Sequence, residues 1–152
     1  MAGLGRARYR ERMFTPSVLL ASLFFSCIAH ENPVRRDARE SVLLTESATL
    51  YWEAIRWGDA DRAGKFIERS VDRTAFQDWL EDKTESERLV EAKIVGVVLG
   101  EAPAEDDKAA PPREGTVSVR TEGYKVPEQI VHNETIEQTW YRLGNGWYVR
   151  WP

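Results

Sequence analysis

The stretch that most constrains the fold lies at the end of the chain, in residues 136–151. Two aromatic, β-prone runs flank Gly144-Asn145-Gly146, and a turn of this composition between such runs is a strong short-range signal for a β-hairpin. Three of the six Trp and two of the five Tyr sit here, so the hairpin is expected to supply much of the core. Turn length decides which of them point inward. A two-residue loop puts Trp140 and Arg142 on the face of Trp147, Val149 and Trp151. A three-residue loop with a glycine bulge puts Tyr141 and Leu143 there instead. Pairing apolar with apolar favours the three-residue loop, which leaves Arg142 and Arg150 outward together.

The other end reads as an export signal that does not belong to the fold. Arg6, Arg8, Arg10 and Arg12 form a basic start, after which residues 13–26 run uncharged and mostly apolar. That run is too short to span a bilayer as a settled helix, which takes about 20 apolar residues, and it matches a secretory signal. A core helix fits less well, because the apolar residues are contiguous and lack helical spacing. The single cysteine, Cys27, ends the run after Phe24-Phe25-Ser26. This is similar to the lipobox of bacterial lipoproteins, in which a small residue precedes a cysteine that becomes lipidated and N-terminal. Phe24 departs from the Leu usual at its position. A simple signal cleaved near Ala29 is the alternative. A lone cysteine makes no intrachain disulfide, which favours lipidation at Cys27. The expected organisation is a signal peptide over 1–26, a tether over 27–40 and one folded domain over 41–152, held to a membrane of the cell envelope.

The chain carries 21 Lys and Arg against 25 Asp and Glu, a net charge of −4, and loss of the arginine-rich signal makes the remainder more acidic. Nucleic acid is therefore not an expected partner, since its phosphates call for clustered Lys and Arg. A single domain of this length buries enough surface for a core without disulfides or metal.

Residues 41–58 place Leu44, Ala48, Tyr51, Ala54 and Ile55 at helical spacing, with Gly58 as terminator and Asp59 as cap for a second helix. That second helix is expected over 60–69, with Ala63 and Ile67 on one stripe. A third is expected from a cap at Ser70 or Asp72 through Glu81, with Phe76, Trp79 and Leu80 inward. Residues 83–87 read as a polar break. The period then changes to two. Residues 88–100 are strand-like, with Gly96 marking a bulge or bend; 101–114 form a long Pro- and charge-rich loop. Residues 116–121 alternate with Val117 and Val119 inward, and 128–143 form a long strand that leads into the hairpin. Ile94, Val98, Trp147 and Val149 complete the expected core. Helices first and antiparallel strands after define an α+β domain, three helices packed on a curved, mainly antiparallel four-stranded sheet.

Tyr51-Trp52-Glu53-Ala54-Ile55-Arg56-Trp57-Gly58-Asp59-Ala60-Asp61-Arg62-Ala63 resembles the opening helix pair of the nuclear transport factor 2-like superfamily, a cystatin-like α+β cone. Gly144-Asn145-Gly146-Trp147-Tyr148-Val149 resembles that superfamily's last hairpin. The likeness covers residues 41–151 and is similar to the small cone domains of bacterial lipoproteins. It implies a pocket between the first helix and the concave sheet face, lined here by Tyr51, Trp52, Ile55, His132, Glu134, Gln138 and Trp140. Some relatives run isomerase or dehydratase chemistry in that pocket with a carboxylate or histidine base.

His132, the single histidine of the expected domain, and Glu134 stand at i and i+2 on one strand face, so they are the nearest approach to an acid–base pair. Polar residues alternate on both faces of this strand, however, as on a solvated sheet end. A base needs an apolar pocket to tune its pKa, so no catalytic residue is assigned. No cofactor or metal is implied: the domain offers no second His or Cys, no glycine-rich phosphate loop and no nucleophile elbow. Glu105-Asp106-Asp107-Lys108 reads as a solvated acidic run and not as a cation site. The expected function is that of a non-catalytic, lipid-anchored envelope domain that binds a second copy of itself or another envelope protein. The alternatives are a binder of a small apolar ligand in the pocket and, further behind, a pocket enzyme.

Overall fold

Asn32 and Pro33 start the first helix. The Asn32 side chain accepts from the Val34 N–H at 3.0 Å, and Pro33 occupies the first turn, where its missing N–H costs nothing. The computed structural model describes residues 32–103 and 109–152; the expected signal segment, Cys27 and the acidic run 105–108 lie outside them. Helix α1 spans Pro33–Trp57, so residues 33–40, expected as tether, are its first two turns. Gly58, at φ 66°, ends the helix in the left-handed conformation that glycine adopts without a Cβ penalty. Asp59 then caps the short α2, Ala60–Gly64, by accepting from the Arg62 N–H at 2.9 Å. Single turns continue to Ile67, where a longer helix was expected.

Helix α3 covers Ser70–Ser86 and passes directly into β1, Glu87–Leu99. The expected polar break at 83–87 does not exist: Lys83 and Glu87 form an ion pair across the junction. Arg69 occupies the N-cap position and its side chain makes no capping bond, so neither Ser70 nor Asp72 caps the helix. Strands β2, β3 and β4 follow as Glu114–Lys125, Val131–Leu143 and Gly146–Val149. All pair antiparallel in the order β1-β2-β3-β4. The fold is α+β, with the helices on one face of an open four-stranded sheet.

The register of β1 against β2 shifts twice, between Leu89 and Glu91 and between Ile94 and Gly96. Each shift adds a residue and reverses the alternation, so the residues packed on the core are Leu89, Ala92, Ile94, Val97 and Leu99. Val98, expected inside by counting in twos from Ile94, is 67% exposed. Trp79 also lies further out than expected. It packs against Trp151 at a 59° tilt, 4.7 Å between centroids, and remains partly in solvent.

The terminal hairpin takes the two-residue loop. Trp140 pairs with Val149, Arg142 with Trp147 and Leu143 with Gly146, which corrects the expected three-residue register. The physical reason is α1. Arg142 turns inward because Glu40, on a part of the helix expected as tether, meets its guanidinium at 2.9 Å. The same carboxylate accepts from the Trp147 indole N–H at 3.2 Å. A charged residue can face inward when a partner of opposite charge is built to receive it.

Tyr51 centres the core. Its ring meets Trp140 edge-on at 5.6 Å, Trp52 at 5.9 Å, Phe76 at 6.0 Å and Phe66 at 6.1 Å, the offset geometries aromatic rings prefer. Gly115 lets α1 approach the sheet. A Cβ there would lie 2.6 Å from Leu44 Cδ2. The β4 edge is partly covered, since the Val149 N–H donates to the Phe66 carbonyl at 2.9 Å.

Candidate functional site

At the end of the sheet opposite the hairpin turn, α1 and the strands diverge. The C-terminal turn of α1, the last turns of α3, the start of β1, the end of β2 and the start of β3 enclose a cleft of about 1060 Å³. That is at the upper end of the ~300–1,000 Å³ typical of ligand pockets. Its helical wall carries Tyr51, Trp52, Ile55 and Trp57 from α1 with Trp79 and Leu80 from α3. Its sheet wall carries Leu89, Thr121, Gly123, His132, Glu134, Ile136 and Gln138. Gly123 pairs with His132, Thr121 with Glu134, Val119 with Ile136 and Val117 with Gln138. The inner face therefore grades from apolar at the core to polar at the mouth.

Of the residues expected to line a pocket, Tyr51, Trp52, Ile55, His132, Glu134 and Gln138 all border this cleft. Trp140 does not. It is fully buried, packed between Tyr51 and Phe66, with its indole N–H lacking a hydrogen-bond acceptor. Cys27, the expected lipidation position, lies outside the described residues. Sequence reasoning missed the contribution of α3, because residues 83–86 read as a break and not as helix. It also missed Gly123, because β2 was expected to stop at Thr121 and runs on to Lys125.

The interior polar groups are paired with one another. The Trp52 indole N–H donates to Gln138 Oε1 at 2.8 Å, which fixes the amide. Burial pushes the Tyr51 hydroxyl far above its ordinary pKa, and a hydrogen bond with Gln138 draws it only part of the way back. Tyr51 is thus a neutral hydroxyl at physiological pH and supplies no base. His132 and Glu134 are exposed at the mouth of the cleft. Cations stand over aromatic faces nearby, Arg56 over Trp57 at 5.4 Å and Lys83 over Trp79 at 5.5 Å, within the range of attraction to a ring quadrupole.

A smaller hollow of about 290 Å³ lies between Glu68, Arg69, Asp72, Tyr141 and Arg150. The Tyr141 hydroxyl donates there to Glu68 Oε2 at 2.9 Å. Desolvation, followed by the Glu68 hydrogen bond and charge, pushes its pKa up to about 12. Ion pairs crowd this hollow, Arg69 with Asp72 and Arg150 with Glu114, beside an apolar wall of Ile67, Pro112, Val149 and Trp151. Among the described residues, no group of three or more His, Cys, Asp or Glu side chains is placed to hold a metal ion.

No family model matches the sequence, and no curated protein matches it. Comparison with solved structures gives a SEC-C motif containing protein from Rhodopseudomonas palustris, known from a solution structure. It is 15% identical, with a TM-score of 0.48, over 64% of this chain and 67% of that one. A likeness so distant carries no inference about function. The resemblance to the nuclear transport factor 2-like superfamily is withdrawn, since no family model matches the sequence. The residues that suggested it have local explanations. Gly58 and Asp59 are a helix terminator and a helix cap, and Gly144-Asn145-Gly146 is a hairpin turn; such features serve any helix pair or hairpin.

Proposed function

We propose that this chain is a non-catalytic binding domain that holds a small, largely apolar molecule in the cleft between α1 and the sheet. The observation that carries this is the cleft itself, a cavity of about 1060 Å³ with Trp52, Trp57 and Trp79 on its walls, beside a core that is closely packed. Aromatic surface held open to water at this scale is costly for a domain with no use for it. The exposure of His132 and Glu134 and the neutral Tyr51 hydroxyl favour binding over acid–base catalysis. Native mass spectrometry of the gently purified full-length chain tests this reading. A retained small molecule, lost when Ile136→Trp fills the cleft, is the expected result; an empty wild-type chain that takes up no apolar probe would sink it.

We further propose that the chain is exported and anchored to an envelope membrane through lipid on Cys27. Support for this comes from the sequence alone: the basic start, the short apolar run and the cysteine that closes it. Several acyl chains hold a protein stably at a membrane where one does so only marginally. Fatty-acid labelling in cells, beside a Cys27→Ser variant, decides it. Absence of label in the wild type would exclude the anchor. Pairing of two copies through the outer sheet face is a second reading, favoured by Val95 and Val98, which are exposed on β1. Measurement of molecular size across concentration tests it.

A further inference from the structure

We infer that the molecule held in the cleft presents a neutral hydrogen-bond acceptor, such as a carbonyl oxygen, to the Tyr51 hydroxyl and the Gln138 amide on the inner wall. This rests on the cleft being a binding site and goes on to name the ligand chemistry it selects. Tyr51, Trp52 and Gln138 all border the cleft. Tyr51 and Trp52 are buried, so this trio marks the inner end, whereas the exposed His132 and Glu134 mark the mouth.

The sense of each bond follows from what the groups can do. An indole nitrogen only donates, so the atom that Trp52 Nε1 meets at 2.8 Å is the Gln138 oxygen, Oε1. That leaves Nε2, with both its hydrogens, on the other side of the amide. The hydrogen bond between Gln138 and Tyr51 eases ionisation of the phenol, as a bond donated to its oxygen does. Gln138 therefore accepts from Trp52 and gives one N–H to Tyr51. Its second N–H and the Tyr51 O–H are left over, and among the described residues neither meets an acceptor. The nearby Thr121 hydroxyl is directed at the Glu134 carbonyl, at 3.5 Å. The inner wall is thus a surplus of donors set in aromatic surface.

Such a wall sorts ligands. A hydrocarbon that reaches it displaces water from both hydrogens and returns nothing, which costs their desolvation. A carboxylate or phosphate could accept from both. It would have to leave water, however, for a wall where no Lys or Arg among the described residues bonds to the trio, and an unpaired buried charge is costly. A carbonyl oxygen has two lone pairs and no net charge. It can take both hydrogens, and it has far less hydration to lose than an anion. The rest of the ligand then lies against Ile55, Leu80 and Ile136, which also border the cleft.

The test uses two probes of nearly one shape, 2-acetylnaphthalene, which carries a carbonyl, and 2-isopropylnaphthalene, which does not. Each is titrated into the full-length chain and read by displacement of the fluorescent reporter phenylnaphthylamine. Tyr51→Phe keeps the ring and removes the O–H. It is expected to weaken the ketone by about fivefold or more and to leave the hydrocarbon unchanged or tighter. The C=O stretch of the bound ketone, isolated by carbon-13 difference infrared spectroscopy, should move to higher frequency in the variant as the carbonyl loses a hydrogen bond. Should Tyr51→Phe fail to fold, Gln138→Met, which removes the amide donors, carries the same comparison. If the variant weakens both probes alike, or neither, or if wild type takes only the hydrocarbon, the acceptor inference is overturned while the binding site stands. If wild type binds neither probe nor the reporter, the binding reading falls and the acceptor with it.

Discussion

Near the hairpin, the layer between α1 and the sheet is filled; near the β2–β3 connection it is open. The closed end holds Leu44, Ala48, Tyr51, Trp140, Trp147 and Val149, all buried, and is locked from outside by charge. Glu40 binds Arg142 and Trp147. Asp37 binds Arg113, which is 8% exposed and also donates to the Gly100 carbonyl at 3.0 Å. The open end carries aromatic side chains of the same kind, but they line a space and do not fill one. Trp57 there is 71% exposed. Aromatic content is thus no guide to burial. What separates the ends is whether an element crosses the gap, and the first turns of α1 do so only at the hairpin.

The largest expected effect lies at the closed end. Trp140→Ala removes the largest fully buried side chain and should cost about 3–5 kcal/mol in chemical denaturation. Glu40→Ala should cost about 1–3 kcal/mol, because it leaves the Arg142 guanidinium and the Trp147 N–H without their acceptor. Replacing both partners, Glu40→Ala with Arg142→Met, should recover part of that loss; a double variant no better than the single one would show that the pair is not what holds this end shut.

Asp37 gives a smaller, pH-dependent signal. The Arg113 hydrogen bond, and then its charge, hold the Asp37 carboxyl below its usual 3.8. A depressed folded-state pKa stabilises the fold above the unfolded value, and that contribution is lost as pH falls through the folded one. Unfolding midpoints of wild type and Asp37→Asn should therefore differ at neutral pH and converge in acid. Smallest of all is the open end: His132→Ala should change stability by no more than about 0.5 kcal/mol, since its side chain is exposed at the cleft mouth.

The sequence made the α+β class, the strand order along the chain and most of the core legible, because hydrophobic periodicity and turn residues act locally. Ala54, Ile67, Phe76, Val117, Val119 and Val149 lie where their spacing puts them. The misses share a cause, which is dependence on a distant partner. Arg142 looked like an outward residue until Glu40 was placed beside it. Glu40 looked like tether because the polar run around it hides the helix start that Asn32 and Pro33 encode. Val98 turned outward because the bulge between Ile94 and Gly96 resets the alternation of β1, and Gly96 was its one hint. The cleft residues on β3 were legible as one strand face, whereas the wall from α3 required knowing that the helix runs unbroken to Ser86.

The difference between the two ends is tested most directly by titrating phenylnaphthylamine into the full-length chain, wild type beside Ile136→Trp. Ile136 faces the cleft, so the larger ring should occupy the open end without crowding the closed one. The expected result is saturable one-to-one binding in wild type, lost in the variant, with an unfolding midpoint that is unchanged or raised. Equal binding by both proteins would contradict the cleft as the site, and a sharp fall in the variant's midpoint would mean that this end was already full.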